Sequence, residues 1–216
     1  MKKIIDVSQY QGNINWKAVK ECGEVDGAIL RGVSSRSGKI YVDEQFKRNY
    51  DECKKYDIPV GVYLFSYATS CSEILDEVDF FFNSCLYGRK FELPVVIDFE
   101  YQNFNERDLL TRNADILSAG LHMLEELGAY AMYYTYKSFF DFCLRSNRDF
   151  LKPYDFWLAW YKVDTSVFPD VNFYPYSIWQ YCSSGIIKGI DGRVDLNFTD
   201  KDFPAIMEKN NLNDWS

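Results

Sequence analysis

Residues 93–101 read LPVVIDFEY. Val95, Val96, Ile97 and Phe99 have the apolar and aromatic character of a buried strand, yet Asp98 and Glu100 sit among them. A buried charge is costly unless it is paired or used. Side chains along a strand alternate between its two faces, so positions i and i+2 share one. Asp98 and Glu100 therefore point the same way, with Cα atoms about 6.5–7 Å apart from the strand rise. The rest of the run is apolar on both faces, as in a parallel sheet covered on each side.

Outward from this strand, the chain alternates strand-like and helix-like segments. Strands are expected at 3–10 (KIIDVSQY), 27–33 (GAILRGV), 58–68 (IPVGVYLFSYA) and 130–136 (YAMYYTY). Helices are expected at 42–57, where Phe46, Tyr50 and Cys53 recur at helical spacing, and at 70–86, where Ser70 and Glu73 have capping-box spacing. A long helix is expected over roughly 105–127, with Leu110, Ala114, Leu117, Leu121 and Leu124 on one face and Gly128 as its cap. A short helix is expected at 137–146. Three late strands, 155–161, 176–182 and 193–198, have little helix between them. Units of strand and helix followed by bare strands predict an α/β, TIM-like barrel, and in such barrels the functional residues stand at the C-terminal strand ends.

The length of 216 residues fits one domain over residues 1–216 better than two small ones. Hydrophobic residues make up 47% and charged residues 26%, an ordinary globular balance. The formal net charge of −8 argues against nucleic acid, which needs clustered Lys and Arg. The densest basic stretch, KRNYDECKK (47–55), alternates with acids and reads as a solvated helix face. MKKIIDVSQYQG has no apolar core of a signal peptide, and no run reaches the ~18 residues that span a membrane. The six cysteines are scattered without a CxxC pair, and His122 is the one histidine, so no zinc pattern forms and buried free thiols are expected. Aromatics at 18% fit either a ring-rich core or a groove for a ringed ligand such as a sugar.

Four acids lie in strongly apolar flanks: Asp6 in the first strand, Asp98 and Glu100 in the fourth, and Asp195 in the last. Carboxylates sharing a cleft raise one another's pKa, so at least one stays protonated near neutral pH. A protonated acid beside an ionised one is what glycoside hydrolysis requires. Structural uses compete with this reading. Asp6 could cap a turn, Asp98 could pair with Arg31, and Asp195 could form an Asx turn. Spacing alone leaves an acid-pair active site level with structural ion pairs. A Mg²⁺ or Ca²⁺ site is a further use of such acids, although its phosphodiesterase-like versions usually also want His.

The segments IDVSQYQGNINW (5–16), PVGVYLFSYA (59–68), LPVVIDFEY (93–101), FWLAWY (156–161) and IWQYCSSGIIKGIDGRVDLNF (178–198) together resemble glycoside hydrolase family 25, the muramidases or Chalaropsis-type lysozymes. The resemblance runs from about residue 3 to 198, in the family's order. It implies an irregular barrel of five βα units followed by three strands, with no cofactor and no metal. It implies cleavage of the β-1,4 bond between N-acetylmuramic acid and N-acetylglucosamine in bacterial cell-wall peptidoglycan. Glu100 matches the family's general acid, Asp98 its partner at the anomeric centre, and Asp6 and Asp195 its supporting aspartates. Tyr63, Tyr133, Trp157, Tyr161, Trp179 and Gln180 fall where the family has groove residues. A monomer without membrane insertion is expected, acting on the cell wall as an extracellular or phage-released enzyme. Two segments depart from the pattern, LRGVSSRSG (30–38) and YYTYKSF (133–139), the latter with bulky Tyr134 and Tyr136. These departures bear on substrate preference and leave a catalytically weak, peptidoglycan-binding relative as the alternative.

Overall fold

The structure, a computed structural model, describes residues 1–100, 107–162, 164 and 166–216. Its strands are β1 (Lys2–Val7), β2 (Gly27–Ser34), β3 (Tyr41–Val42), β4 (Val60–Ser66), β5 (Val95–Phe99), β6 (Ala131–Tyr136), β7 (Asp155–Ala159), β8 (Tyr176–Gly185) and β9 (Val194–Thr199). Its helices are α1 (Trp16–Cys22), α2 (Phe46–Lys55), α3 (Cys71–Phe81), α4 (Arg107–Glu126), α5 (Lys137–Phe139) and α6 (Phe203–Asn210). Eight strands close a barrel in the order β1-β2-β4-β5-β6-β7-β8-β9 and back to β1, with the two-residue β3 paired outside β2. Neighbours run parallel from β1 round to β8, and β9 is antiparallel to both β8 and β1. The expected five βα units followed by three strands are therefore the observed plan.

Strand alternation builds the two cores. On β5, Val95, Ile97 and Phe99 face outward into the layer between barrel and helices, whereas Val96 joins Ile4, Ile29, Met132 and Ile178 inside the barrel. The helices seat closely on the outer layer. A Cβ at Gly120 of α4 would come within 2.8 Å of Ile97 and 2.7 Å of Ile74, so the missing side chain lets α4 approach both β5 and α3. The N-terminus of α3 is capped as its spacing predicts, with Ser70 Oγ accepting from the Glu73 N–H at 3.2 Å. Residues 101–106, which include the end of the quoted strand and the expected start of the long helix, lie outside the described residues.

Helix α6 has no counterpart among the sequence expectations, and α1 is implied there only by the five βα units. Asn15 starts α1 by accepting from the Ala18 N–H, and Gly23 ends it in the left-handed region. Helix α6 lies across the N-terminal end of the barrel, where Phe203 and Met207 pack into the interior cluster with Ile4, Leu93 and Val96. The chain after α6 fastens this plug. Asn213 Oδ1 accepts from the Tyr130 N–H at 2.7 Å, and its Nδ2 donates to the Leu93 carbonyl at 2.9 Å, tying the entries of β6 and β5 together. Trp215 Nε1 donates to the Leu127 carbonyl at 2.7 Å.

All six cysteines are free thiols. Cys53, Cys85 and Cys143 are buried, Cys22 and Cys182 are half-buried, and Cys71 is exposed at the start of α3, against the expectation of burial. His122 sits on the exposed face of α4 beside Glu126, as its helical pattern suggests. No helix among the described residues is long and apolar enough to cross a membrane.

Phe203 is fully buried in the plug. Replacing it with Ala should cost about 3–5 kcal/mol of stability, the usual range for a large ring lost from a packed site. Urea unfolding measures this directly, and a cost below about 1 kcal/mol would show that α6 does not close the barrel.

Candidate active site

At the opposite end, where the parallel strands finish, a cleft of about 350 Å³ opens. Asp6 (β1), Asp98 and Glu100 (end of β5) and Asp195 (β9) all line it. Pairing registers explain the convergence. Asp6 stands directly opposite Asp195 across the antiparallel β1–β9 seam, and Asp98 pairs with Phe65 on β4 and Tyr134 on β6. Period-two alternation then carries Glu100 to the same mouth as Asp98.

Asp6 is the hub of a buried polar network. Its Oδ2 accepts from Gln180 Nε2 at 3.0 Å and from Asn197 Nδ2 at 2.8 Å. Asn197 is itself held by Trp157, whose Nε1 donates to Asn197 Oδ1 at 2.8 Å. Gln180 Oε1 accepts from the hydroxyls of Tyr134 at 2.9 Å and Tyr161 at 2.7 Å. Asp6 thus caps no turn. The turn after β1 is capped by Ser8, and Asp195 is a strand residue and not an Asx turn.

The four acids do not titrate alike. Burial, reinforced by the charge of Asp195, pushes Asp6 well above the ordinary carboxylate range. Asp6 and Asp195 are hydrogen-bonded; burial raises Asp195 too, against the lowering effect of that bond, so both carboxyls of the pair lie above the ordinary range and ionise as one unit. Burial raises Asp98 well above its ordinary value, with further upward pressure from Glu100 and Asp6 and an opposing pull from Arg31. Burial and then the Asp195 charge push Glu100 up to about 7.

Arg31 lines the cleft but pairs elsewhere. Its Nε donates to Asp43 Oδ2 at 2.7 Å, and Asp43 also accepts from the Gln9 and Gln45 N–H groups. The Arg31–Asp98 pair is therefore not formed. Asp98 Oδ1 is buried without a hydrogen-bond partner among the described residues. It is a desolvated acceptor left unsatisfied in a residue that lines the cleft.

Of the expected groove residues, Tyr63, Trp157, Tyr161 and Gln180 line the cleft, and Tyr133 and Trp179 do not. Tyr133 points outward from β6, where its ring stacks on Phe156 with centroids 4.8 Å apart. Its neighbour Tyr134 takes the inward position. Trp179 likewise faces outward on β8, fully buried against Phe168 and donating to the Trp160 carbonyl at 2.9 Å, whereas Gln180 faces in. Trp157 is 2% exposed, so it serves as floor and hydrogen-bond donor more than as a stacking face. The exposed rings at the cleft are Tyr161 and Tyr10, the latter standing over the Arg31 guanidinium at 5.0 Å. Tyr134, expected to bear on substrate preference, does line the cleft, whereas Tyr10 and Asn197 have no counterpart among the expected site residues. Tyr10 ends the segment expected as the first strand and lies three residues past the end of β1, and Asn197 lies two residues beyond Asp195 on the same face. Among the described residues, no three His, Cys, Asp or Glu side chains converge closely enough to hold a metal ion.

The profile of Glycosyl hydrolases family 25 matches residues 5–190. Lysozyme M1 of Streptomyces globisporus is 27% identical over 198 residues, covering 89% of this chain and 66% of that protein. The autolytic lysozyme of Clostridium acetobutylicum is 28% identical over 195 residues, covering 90% of this chain and 55% of that protein. This chain therefore spans less than two thirds of the length of either lysozyme. The bacterial lysozyme structure from Streptomyces coelicolor superposes with a TM-score of 0.75 at 26% identity, over 93% of this chain and 92% of that one.

The carboxyl of Glu100 should titrate near pH 7 when followed by NMR of the labelled side chain, being protonated below and ionised above. Titration near 4.5, the ordinary value, would show that the cleft does not desolvate it.

Proposed function

The chain belongs to glycosyl hydrolases family 25, and from that premise we propose that it is an N-acetylmuramidase. Its substrate is bacterial cell-wall peptidoglycan, and the bond broken joins C1 of N-acetylmuramic acid to O4 of N-acetylglucosamine. Residues 1–216 act as a single catalytic domain. The observation that carries this reading is the pairing of a carboxyl raised to about 7 with a buried, unpartnered acceptor on one strand.

Glu100 is the general acid. Its protonated carboxyl donates to the leaving O4 as the C1–O4 bond breaks, and its position near neutral pH suits both holding and giving up that proton. Asp98 supports the anomeric centre. Its free Oδ1 accepts from the N–H of the substrate's 2-acetamido group and turns the acetamido oxygen toward C1, where positive charge develops. Water then completes the hydrolysis and returns the proton to Glu100. Asp6 and Asp195 do not touch the reacting bond. Their shared proton leaves one negative charge beside Glu100, which holds the general acid protonated. Tyr63, Tyr161 and Tyr10 offer rings to the sugars on the two sides of the cleft.

Glu100→Gln should lower the rate of reducing-end release from purified peptidoglycan by about a thousandfold, the scale of a lost general acid, with the fold intact by circular dichroism. Mass spectrometry of the wild-type products should find the new reducing ends on N-acetylmuramic acid. New ends on N-acetylglucosamine, or full activity in Glu100→Gln, would contradict the assignment. Binding without any release of reducing ends would favour the glycan-binding alternative.

A further inference from the structure

Near the end of β4, where Phe65 lines the catalytic cleft, lies a second cavity, of about 430 Å³. Phe65 lines the cleft, and its ring meets that of Tyr67 edge-on with centroids 4.9 Å apart. Tyr67 in turn lines the second cavity, so the two hollows share an aromatic partition. Three carboxylates from the first two turns of α3, those of Glu73, Asp76 and Glu77, line it, and no Lys or Arg among the described residues does. Ile40 and Tyr67 add apolar surface to its lining.

A run of acids on a helix is ordinarily a solvated face, and Glu73 and Asp76 are exposed in that manner. Glu77 is different, because it is 4% exposed. Ser66, Ser35 and the Tyr67 backbone hydrogen-bond to its carboxylate, yet burial still raises it above its ordinary value. Its Oε2 is buried without a hydrogen-bond partner among the described residues. A desolvated carboxylate oxygen with no partner is costly. The three acids do not converge as a metal ion would require. A ligand that relieves the site therefore carries positive charge on several N–H donors, behind an apolar stem.

We propose that this cavity is a subsite for a primary ammonium group on a peptide branch of the glycan bound in the adjacent cleft. An ammonium offers three donors, enough to be shared between Glu77 and the rim acids Glu73 and Asp76. The methylene stem of a diamino acid packs along Ile40 and Tyr67, as lysine stems do on apolar surface. Glu73 is already braced for the task, since its Oε2 accepts from the Thr69 N–H and hydroxyl at 2.7 and 2.9 Å. The subsite rests on the muramidase reading, which is what brings a peptide-bearing glycan to this end of the barrel.

Calorimetry on the Glu100→Gln protein tests the subsite without relying on turnover. The ligands are soluble glycan–peptide fragments whose diamino acid carries either a free side-chain amine or its N-acetyl derivative. Acetylation should weaken binding about tenfold, the scale of one charge-assisted contact. Adding Glu77→Gln should bring the two affinities together. The exposed pair Glu73→Gln and Asp76→Asn should narrow the gap as well, and it supplies the test if the buried substitution disturbs folding. Equal affinities for the two fragments, or discrimination that survives all three substitutions, would overturn the subsite. The muramidase reading fails separately, if wild-type protein leaves peptide-free glycan strands uncut.

Discussion

Four carboxylates gathered in one desolvated mouth cannot all be ionised, and the rest of the site is built around that constraint. The barrel meets it at the seam where β9 closes against β1. There Asp6 and Asp195 face each other in register and hold a proton between them. Asp6 is supported by amides from two different strands, Gln180 and Asn197, and those amides are fixed by Tyr134, Tyr161 and Trp157. The charge remaining on Asp195 then bears on Glu100. Strands from the two ends of the chain thereby set the protonation of an acid in its middle.

The apolar barrel interior is the other half of this electrostatic arrangement. Beneath the acids the interior is filled by Ile4, Ile29, Val96, Met132 and Ile178, and it is closed below by Phe203 and Met207. Water is excluded from one side of the carboxylates, so burial heads the causes that raise Asp6, Asp98 and Glu100.

The barrel plan and the acid set could be read from the sequence because both depend on short-range periodicity. LPVVIDFEY carries its own alternation, so the shared face of Asp98 and Glu100 needs no tertiary information. The errors arise where alternation was set aside. Trp179 and Gln180 are adjacent in one strand and cannot both face the cleft, and Tyr133 and Tyr134 pose the same choice. The inward Val96 and Asp98 could have selected Tyr134 once β5 and β6 were placed as neighbours. Other features depend on long-range partners that spacing does not encode. Arg31 turns to Asp43 rather than Asp98 because β3 and the start of α2 bring that carboxylate against β2. Helix α6 is short, and its role comes from where it packs.

In the proposed mechanism a single carboxyl, held protonated by burial and by the Asp195 charge, governs bond cleavage. The most direct test is the dependence on pH of kcat/KM for reducing-end release from purified peptidoglycan. The account predicts a basic limb whose midpoint lies near 7, where Glu100 loses its proton, and a downward shift of that limb in Asp195→Asn, which removes the charge that raises it. A profile with no basic limb near 7, or a limb unmoved by Asp195→Asn, would contradict it.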